Sequence, residues 1–367
     1  MSYERPNIQR MTGYSSGEQP QQAKVIKLNT NENPYPATPA VAKALANFRV
    51  DDLRRYPQPF ANEFRKVAAQ YHQVEIDNII PTNGGDELIR LLITTFVDPG
   101  QSIALAEPSY SLYPVLAEIQ DCPIHRIDLN DDWSMGTDFP KQLNATGAKL
   151  AFIVNPHAPS GRLSSVDELR RVAQAFAGVL VIDEAYIDFI DPDIAHNSVD
   201  LIREFNNVVI LRTMSKGYSL AGLRFAYGIA PKTLIAPMLY KTRDSYNTDA
   251  IAQALATAAL ADREAAAIGW QKVRTERTRV ANALTALGFT CAPSQSNFLL
   301  AQVPNTDARF ENSELLAREC YQRLKDDGIL IRYFDMPRLR DKLRITIGTA
   351  QENDALLQHL ESYLGQS

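Results

Sequence analysis

The chain has 367 residues, 45% hydrophobic and 22% charged, with 38 Lys+Arg against 43 Asp+Glu for a formal net charge of −5. That is the composition of a globular protein of about two domains. Mild acidity without a Lys/Arg block argues against a chain whose main task is gripping nucleic acid or an anionic membrane surface. The three cysteines, Cys122, Cys291 and Cys320, stand far apart with no CxxC and no histidine at ligand spacing. Neither a disulfide framework nor a metal site is expected, and reduced thiols in the cytoplasm are the simplest reading.

The opening MSYERPNIQRM carries charge and proline where a signal peptide needs an apolar stretch, and no run approaches the ~20 apolar residues of a membrane span. Residues 1 to about 30 read as irregular. From about residue 40, helical stretches such as 166–177 alternate with short apolar runs at 78–81, 102–106, 149–154, 179–182, 208–211 and 226–230, each closed by Gly, Pro, Asn or Asp. This alternation predicts an α/β fold with a largely parallel sheet. An Ala-rich, Arg-dotted stretch over 249–286 predicts one or two long helices, and a smaller α+β unit follows. Its parts are FLLAQV, a helix over 315–325, the strands GILIRYF and LRITIG, and a final helix over 352–364.

In open parallel sheets, ligands bind outside the carboxyl ends of the strands. The residues there are chemically selective: Thr82, Asn83, Gly84, Gly85 and Asp86; then Glu107, Pro108, Ser109 and Tyr110; then Asn155 and Pro156; then Asp183, Glu184, Ala185 and Tyr186; and finally Arg212 through Lys216. Gly84 and Gly85 opening a helix offer free N–H groups to an anion, although most strand-to-helix turns contain glycine. Lys216 just past a buried strand is either a solvated loop residue or an amine readied as a nucleophile. Asp183 at the end of VLVI needs a partner, for which a protonated ring nitrogen, a metal or a backbone cap would serve. Together these groups form the inventory for pyridoxal 5′-phosphate, which needs a lysine for its aldehyde and an acid on its ring nitrogen.

The sequence resembles the fold-type I, pyridoxal-phosphate-dependent aminotransferases, and within them the histidinol-phosphate aminotransferases. The motifs run through NENPYP (31–36), RYP (55–57), NGGDELI, PSY, DEAYIDF, RTMSKGYSLAGLRFAYG and LRITIG. The resemblance implies a large cofactor domain over 46–255, with 1–45 as an arm and part of a small domain and 256–367 as its remainder. It implies that Lys216 carries the cofactor and moves the proton at the substrate Cα, and that Asp183 pairs with the ring nitrogen. Tyr186 and Asn155 would bond the phenolic oxygen, and Tyr110 would stack on the ring. Gly85, Asp86, Thr213, Ser215 and Arg224 would hold the phosphate, with Tyr56 reaching the phosphate of the neighbouring subunit in a homodimer with shared sites. Arg344 would clamp an α-carboxylate, with Asn155, Tyr14, Asn33, Tyr246 and Arg332 completing the substrate site.

The implied reaction transfers an amino group between L-histidinol phosphate and 2-oxoglutarate, giving imidazole-acetol phosphate and L-glutamate in L-histidine biosynthesis, with no metal, nucleic acid or membrane involved. An aromatic amino-acid aminotransferase and the threonine-phosphate decarboxylase of cobalamin synthesis remain as alternatives. A non-catalytic ligand sensor would need an appended DNA-binding module, and the motifs already fill the chain from residue 31. One departure stands out: NPHAPSG puts His157 and Ala158 where the family commonly has two asparagines. His157 is there either a new polar contact or a neutral substitution.

Overall fold

The computed structural model describes residues 2–14, 17–19, 25–304 and 310–364, so parts of the irregular N-terminal stretch lie outside it. Its strands are β1 (Ile26–Lys27), β2 (Ile79–Thr82), β3 (Ile103–Glu107), β4 (Ile124–Asp128), β5 (Leu150–Val154), β6 (Val179–Asp183), β7 (Val208–Thr213), β8 (Ala226–Ile229), β9 (Thr290–Cys291), β10 (Phe298–Gln302), β11 (Ile329–Leu330), β12 (Arg332–Tyr333) and β13 (Lys342–Thr346). Seven of them form one sheet in the order β2-β8-β7-β6-β5-β3-β4. Only β8 runs against its neighbours; the β3-β4, β3-β5, β5-β6 and β6-β7 pairs are parallel. Parallel neighbours need crossovers, and helices such as Gly84–Phe96 and Val166–Ala175 supply them. Ser165 and Glu168 start the second of these with a reciprocal capping box.

The central strands are buried on both faces, which is why they read as continuous apolar runs. Successive residues alternate between two cores: Phe152, Val181 and Val209 enter one, whereas Ile153, Leu180, Ile182 and Ile210 enter the other. All six predicted strands of this sheet are present within a residue or two. The unpredicted β4 is an edge strand, IHRID, whose His125, Arg126 and Asp128 are exposed, so it lacks the apolar run that marks its neighbours.

A second sheet, β12-β13-β10-β9, is antiparallel, and β1 pairs in parallel with β11. GILIRYF, expected as one strand, is divided between these two sheets: Ile329–Leu330 takes β1 as partner, and Arg332–Tyr333 takes β13. The Ala-rich stretch forms two helices, Ala250–Ala261 and Arg263–Ala286, separated at Asp262. Among the described residues no helix is long and apolar enough to cross a membrane, and no His/Cys/Asp/Glu group could hold a metal ion.

Candidate active site

The carboxyl ends of β3, β5, β6 and β7 open into a cavity of about 670 Å³, closed on the other side by residues 29–32 and by Arg332, Phe334 and Arg344 from the antiparallel sheet region. β7 delivers Thr213, and the chain turns so that Ser215 and Lys216 face the cavity. The Lys216 ammonium donates to the carbonyl of Thr30 at 2.9 Å and lies 6.0 Å from the Tyr186 ring centre. Burial pushes this amine down to about 8 from 10.5, Arg344 pushes the same way, and Glu32 opposes them. At neutral pH a larger fraction of this amine is therefore free than for an exposed lysine.

Asp183 ends β6 with its carboxylate buried. Tyr113 OH donates to Oδ2 at 2.6 Å and the backbone N–H of Ala185 donates to Oδ1 at 3.1 Å. Burial pushes the carboxyl up to about 6 despite these two donors, with Asp86 and Glu184 adding to the rise. Tyr113 is itself fully buried and stacks on Phe152 at 4.4 Å. Tyr186, also buried, accepts a hydrogen bond at its hydroxyl from Asn31 Nδ2 at 3.0 Å. Asn31 has φ 56, and Asn297 Nδ2 and the Thr346 hydroxyl hold its carbonyl and its side-chain oxygen. Tyr110 lines the cavity and meets Tyr113 and Tyr14 edge-on.

On the opposite wall, the helix Gly84–Phe96 begins with Gly84 at φ 76. The positive φ calls for glycine at Gly84, and a Cβ there would also come within 2.7 Å of the Arg224 guanidinium and displace it. Arg224 Nη2 donates to Asp86 Oδ2 at 3.1 Å, and Gly85, Thr213 and Ser215 share the same wall. This gathers a helix N-terminus, two hydroxyls and a cation in one place, the usual donor set for a phosphate.

Arg344 on β13 faces the cavity from the small sheet. Its Nη2 donates to Asn29 O at 2.9 Å, its guanidinium lies 5.4 Å from the Phe298 ring and 5.3 Å from the Phe334 ring, and its buried Nε has no acceptor. Burial pushes the guanidinium down to about 10. A planar cation with a free donor inside an apolar box is built for a carboxylate.

Four residues expected at the site do not line this cavity. Asn155 is buried behind it: its amide donates to Ser164 O at 3.2 Å and accepts from Ser164 N at 2.7 Å, so the side chain closes the following turn. The wall at that turn is made by Ala158 and Pro159. Asn33 spends its amide on the carbonyl of Gly217 at 3.1 Å. Tyr56, 80% exposed, and Tyr246 stack on each other outside the cavity at 4.5 Å. His157 is buried, bonding Ser160 and the Pro108 carbonyl at 2.7 Å each, and burial pushes it down to about 4. It is an internal tie between two loops. Tyr113, Asn31 and the Glu107–Arg126 ion pair at the rim were not anticipated. Tyr113 lies within a helix, Leu112–Ile119, and only its fold-level position reveals its partner.

The family model for aminotransferase class I and II matches residues 23–360. The chain belongs to this family. The aminotransferase is 42% identical over 364 residues to histidinol-phosphate aminotransferase 1 of Nostoc sp., covering 99% of this chain and 98% of that one. It is 39% identical to the histidinol-phosphate aminotransferase of Rhodopirellula baltica, covering 97% and 94%. Among solved structures, the histidinol-phosphate aminotransferase of Sinorhizobium meliloti in complex with pyridoxal-5′-phosphate superposes with a TM-score of 0.89, covering 100% and 98% at 24% identity. The aminotransferase thus has the fold-type I architecture, a large, mostly parallel sheet flanked by helices.

Proposed function

We propose that this aminotransferase uses pyridoxal 5′-phosphate to move an amino group between L-histidinol phosphate and 2-oxoglutarate, giving imidazole-acetol phosphate and L-glutamate. The observation that carries the reading is Arg344 in the same cavity as Lys216, since a buried guanidinium with one donor, Nε, still unpaired leaves a place for an anionic substrate group. The choice of substrate rests on the full-length relatives at about 40% identity, whose names specify histidinol phosphate.

The residues fit the cofactor. Its phosphate would take the helix start at Gly85 and Asp86, the hydroxyls of Thr213 and Ser215, and Arg224. Asp183, whose pKa burial raises, gains a partner if a protonated ring nitrogen lies against it. Tyr110 would cover one ring face and Tyr186 would donate to the phenolic oxygen. Asn155 enters this reading only through the turn it closes. When bound, the cofactor supplies an aldehyde for amines and a ring that withdraws electrons from Cα.

The chain's own residues do the rest. Lys216 would take the proton from the substrate Cα and return it on the cofactor side, a task suited to an amine that titrates near 8. Arg344 would hold glutamate's α-carboxylate, and Arg332 with Tyr14 at the mouth would meet the second anion. Residues 46–255 would form the cofactor domain, since β2 to β8 fall there. Residues 1–45 and 256–367 would form the smaller one, consistent with the β1-β11 pairing. The exposed Tyr56–Tyr246 pair, beside Phe60 stacked edge-on against Tyr240, supports a homodimer in which Tyr56 serves the neighbour's site in the cytoplasm.

Single-turnover kinetics with histidinol phosphate, phenylalanine and threonine phosphate test the substrate. Histidinol phosphate should lead in kcat/KM by at least about tenfold. A preference for phenylalanine, or release of carbon dioxide from threonine phosphate, would overturn the assignment.

A further inference from the structure

The reactive lysine is followed by a glycine whose carbonyl is gripped from two distant segments. Trp270 Nε1 on the helix Arg263–Ala286 donates to Gly217 O at 2.7 Å, and Asn33 Nδ2 donates to the same oxygen at 3.1 Å. Two side-chain donors on one carbonyl use both of its lone pairs. A third element presses from the side: a Cβ on Gly217 would sit 2.1 Å from Asp188 Oδ2, so any side chain here requires Asp188 to shift. The next residue, Tyr218, packs edge-on against the Trp270 ring at 5.5 Å.

The donors are themselves fixed. Asn33 Oδ1 accepts from the backbone N–H of Tyr35 at 3.1 Å, which orients the amide so that its Nδ2 faces Gly217. The same short strap supplies the Thr30 carbonyl to Lys216 Nζ and the Asn31 amide to Tyr186. Residues 30–33 therefore hold the lysine at its amine end and, through Gly217, at its backbone end. Trp270 is the second donor to that backbone carbonyl.

We infer that Trp270, with Asn33, is a positioning residue for Lys216, acting through the carbonyl of Gly217. Neither side chain lines the cavity, so neither is a catalytic residue. A lysine side chain is long and flexible, and its amine is aimed only as well as its Cα is held. Asn33, which the motif reading assigned to substrate, takes this role instead. The inference rests on the proposed use of Lys216 as the cofactor-bearing amine.

The test follows the rate at which cofactor-free protein captures pyridoxal phosphate, read from the visible band, together with steady-state kinetics. Trp270→Phe keeps an aromatic ring beside Tyr218 and removes the N–H together with part of the indole's bulk. Capture rate and kcat should fall together by about tenfold, with the KM of the amino donor changed less than about threefold. Trp270→Phe/Asn33→Ala, which strips both donors, should lose more than either single variant, because no side-chain donor is then left on the carbonyl. Capture and kcat within about twofold of wild type in Trp270→Phe would overturn the inference, even if the melting temperature dropped, since that pattern belongs to packing alone. If the double variant does not fold, the single variant decides. Wild-type protein that captures no cofactor would remove the functional reading beneath it, whereas normal wild-type capture with unaltered variants would remove only the inference.

Discussion

Tyr113→Phe isolates the contribution of one buried hydroxyl to the charge of Asp183. The ring still stacks on Phe152, but Asp183 Oδ2 loses the donor at 2.6 Å. A hydrogen bond to a charged group contributes about 1.5 to 3 kcal/mol, so its loss should raise the carboxyl by a further one to two units, from about 6 to roughly 7 or 8. The folded pKa already lies above the ordinary 3.8, so the folded chain holds this proton more tightly than the unfolded chain does. Stability from this group is lost as pH rises from about 4 to about 6, and in the variant the loss continues to about 7 or 8. Urea unfolding of cofactor-free protein should show the variant weaker by about 1 kcal/mol at pH 5, where a neutral bond is lost, and by about 2.4 to 3.7 kcal/mol at pH 8.5, where the one to two units of pKa shift add to that loss. Cofactor affinity near pH 7 should fall about tenfold, because a protonated Asp183 makes a poorer partner for a cationic ring. Equal destabilisation at the two pH values, with unchanged affinity, would refute the assignment of Tyr113 as the donor that keeps Asp183 ionised.

Lys216→Ala should abolish both the visible cofactor band and transamination, and in wild type the rate of cofactor capture should rise with pH to a midpoint near 8, a profile that stopped-flow absorbance measures directly. Arg344→Lys keeps the charge and loses the planar two-point donor, so kcat/KM for glutamate should drop about 100-fold with little change in the unfolding midpoint. Gly217→Ala forces a methyl into the Asp188 carboxylate and should lower the melting temperature by several degrees, measured by calorimetry. Mixing Tyr56→Ala and Lys216→Ala proteins should restore activity in about a quarter of the sites if subunits share them, and the absence of recovery despite subunit exchange would count against the shared dimer.

The parts of this molecule that could be read from sequence are those whose physics is local. Central strands buried on both faces announce themselves as apolar runs, and Asp183 and Lys216 are legible because they stand at the ends of two such runs. β4 escaped because an exposed edge permits His125 and Arg126 where a central strand would have Val or Ile. Nothing in NPHAPSG says which side chain turns towards the cavity. The backbone of the turn decides it, binding Asn155 to Ser164 and leaving Ala158 on the wall. Asn31, Tyr113 and Trp270 were hidden for a different reason. Their partners lie 155, 70 and 53 residues away in sequence, and only packing brings them together.

Burial perturbs three of the cavity's ionisable groups in the same sense. Burial pushes Lys216 and Arg344 down and Asp183 up, each towards its neutral form. The sum of charges over the chain is therefore the wrong scale on which to look for anion binding. For Asp183 the folded pKa is raised, so its unfavourable contribution is present above about 6 and absent below about 4. For Lys216 the folded pKa is lowered, so its contribution is present below about 8 and absent above about 10.5. Between about pH 6 and 8 the ligand-free chain carries both costs at once, of order 3 kcal/mol each by the spacing of these values. A bound group that presented a cation to Asp183 and joined covalently to Lys216 would relieve both, and that relief would enter its affinity and hence its stabilisation of the folded chain. On the proposed role of Lys216, the same desolvation that readies the amine would thus favour the loaded state over the pH range in which the amine works.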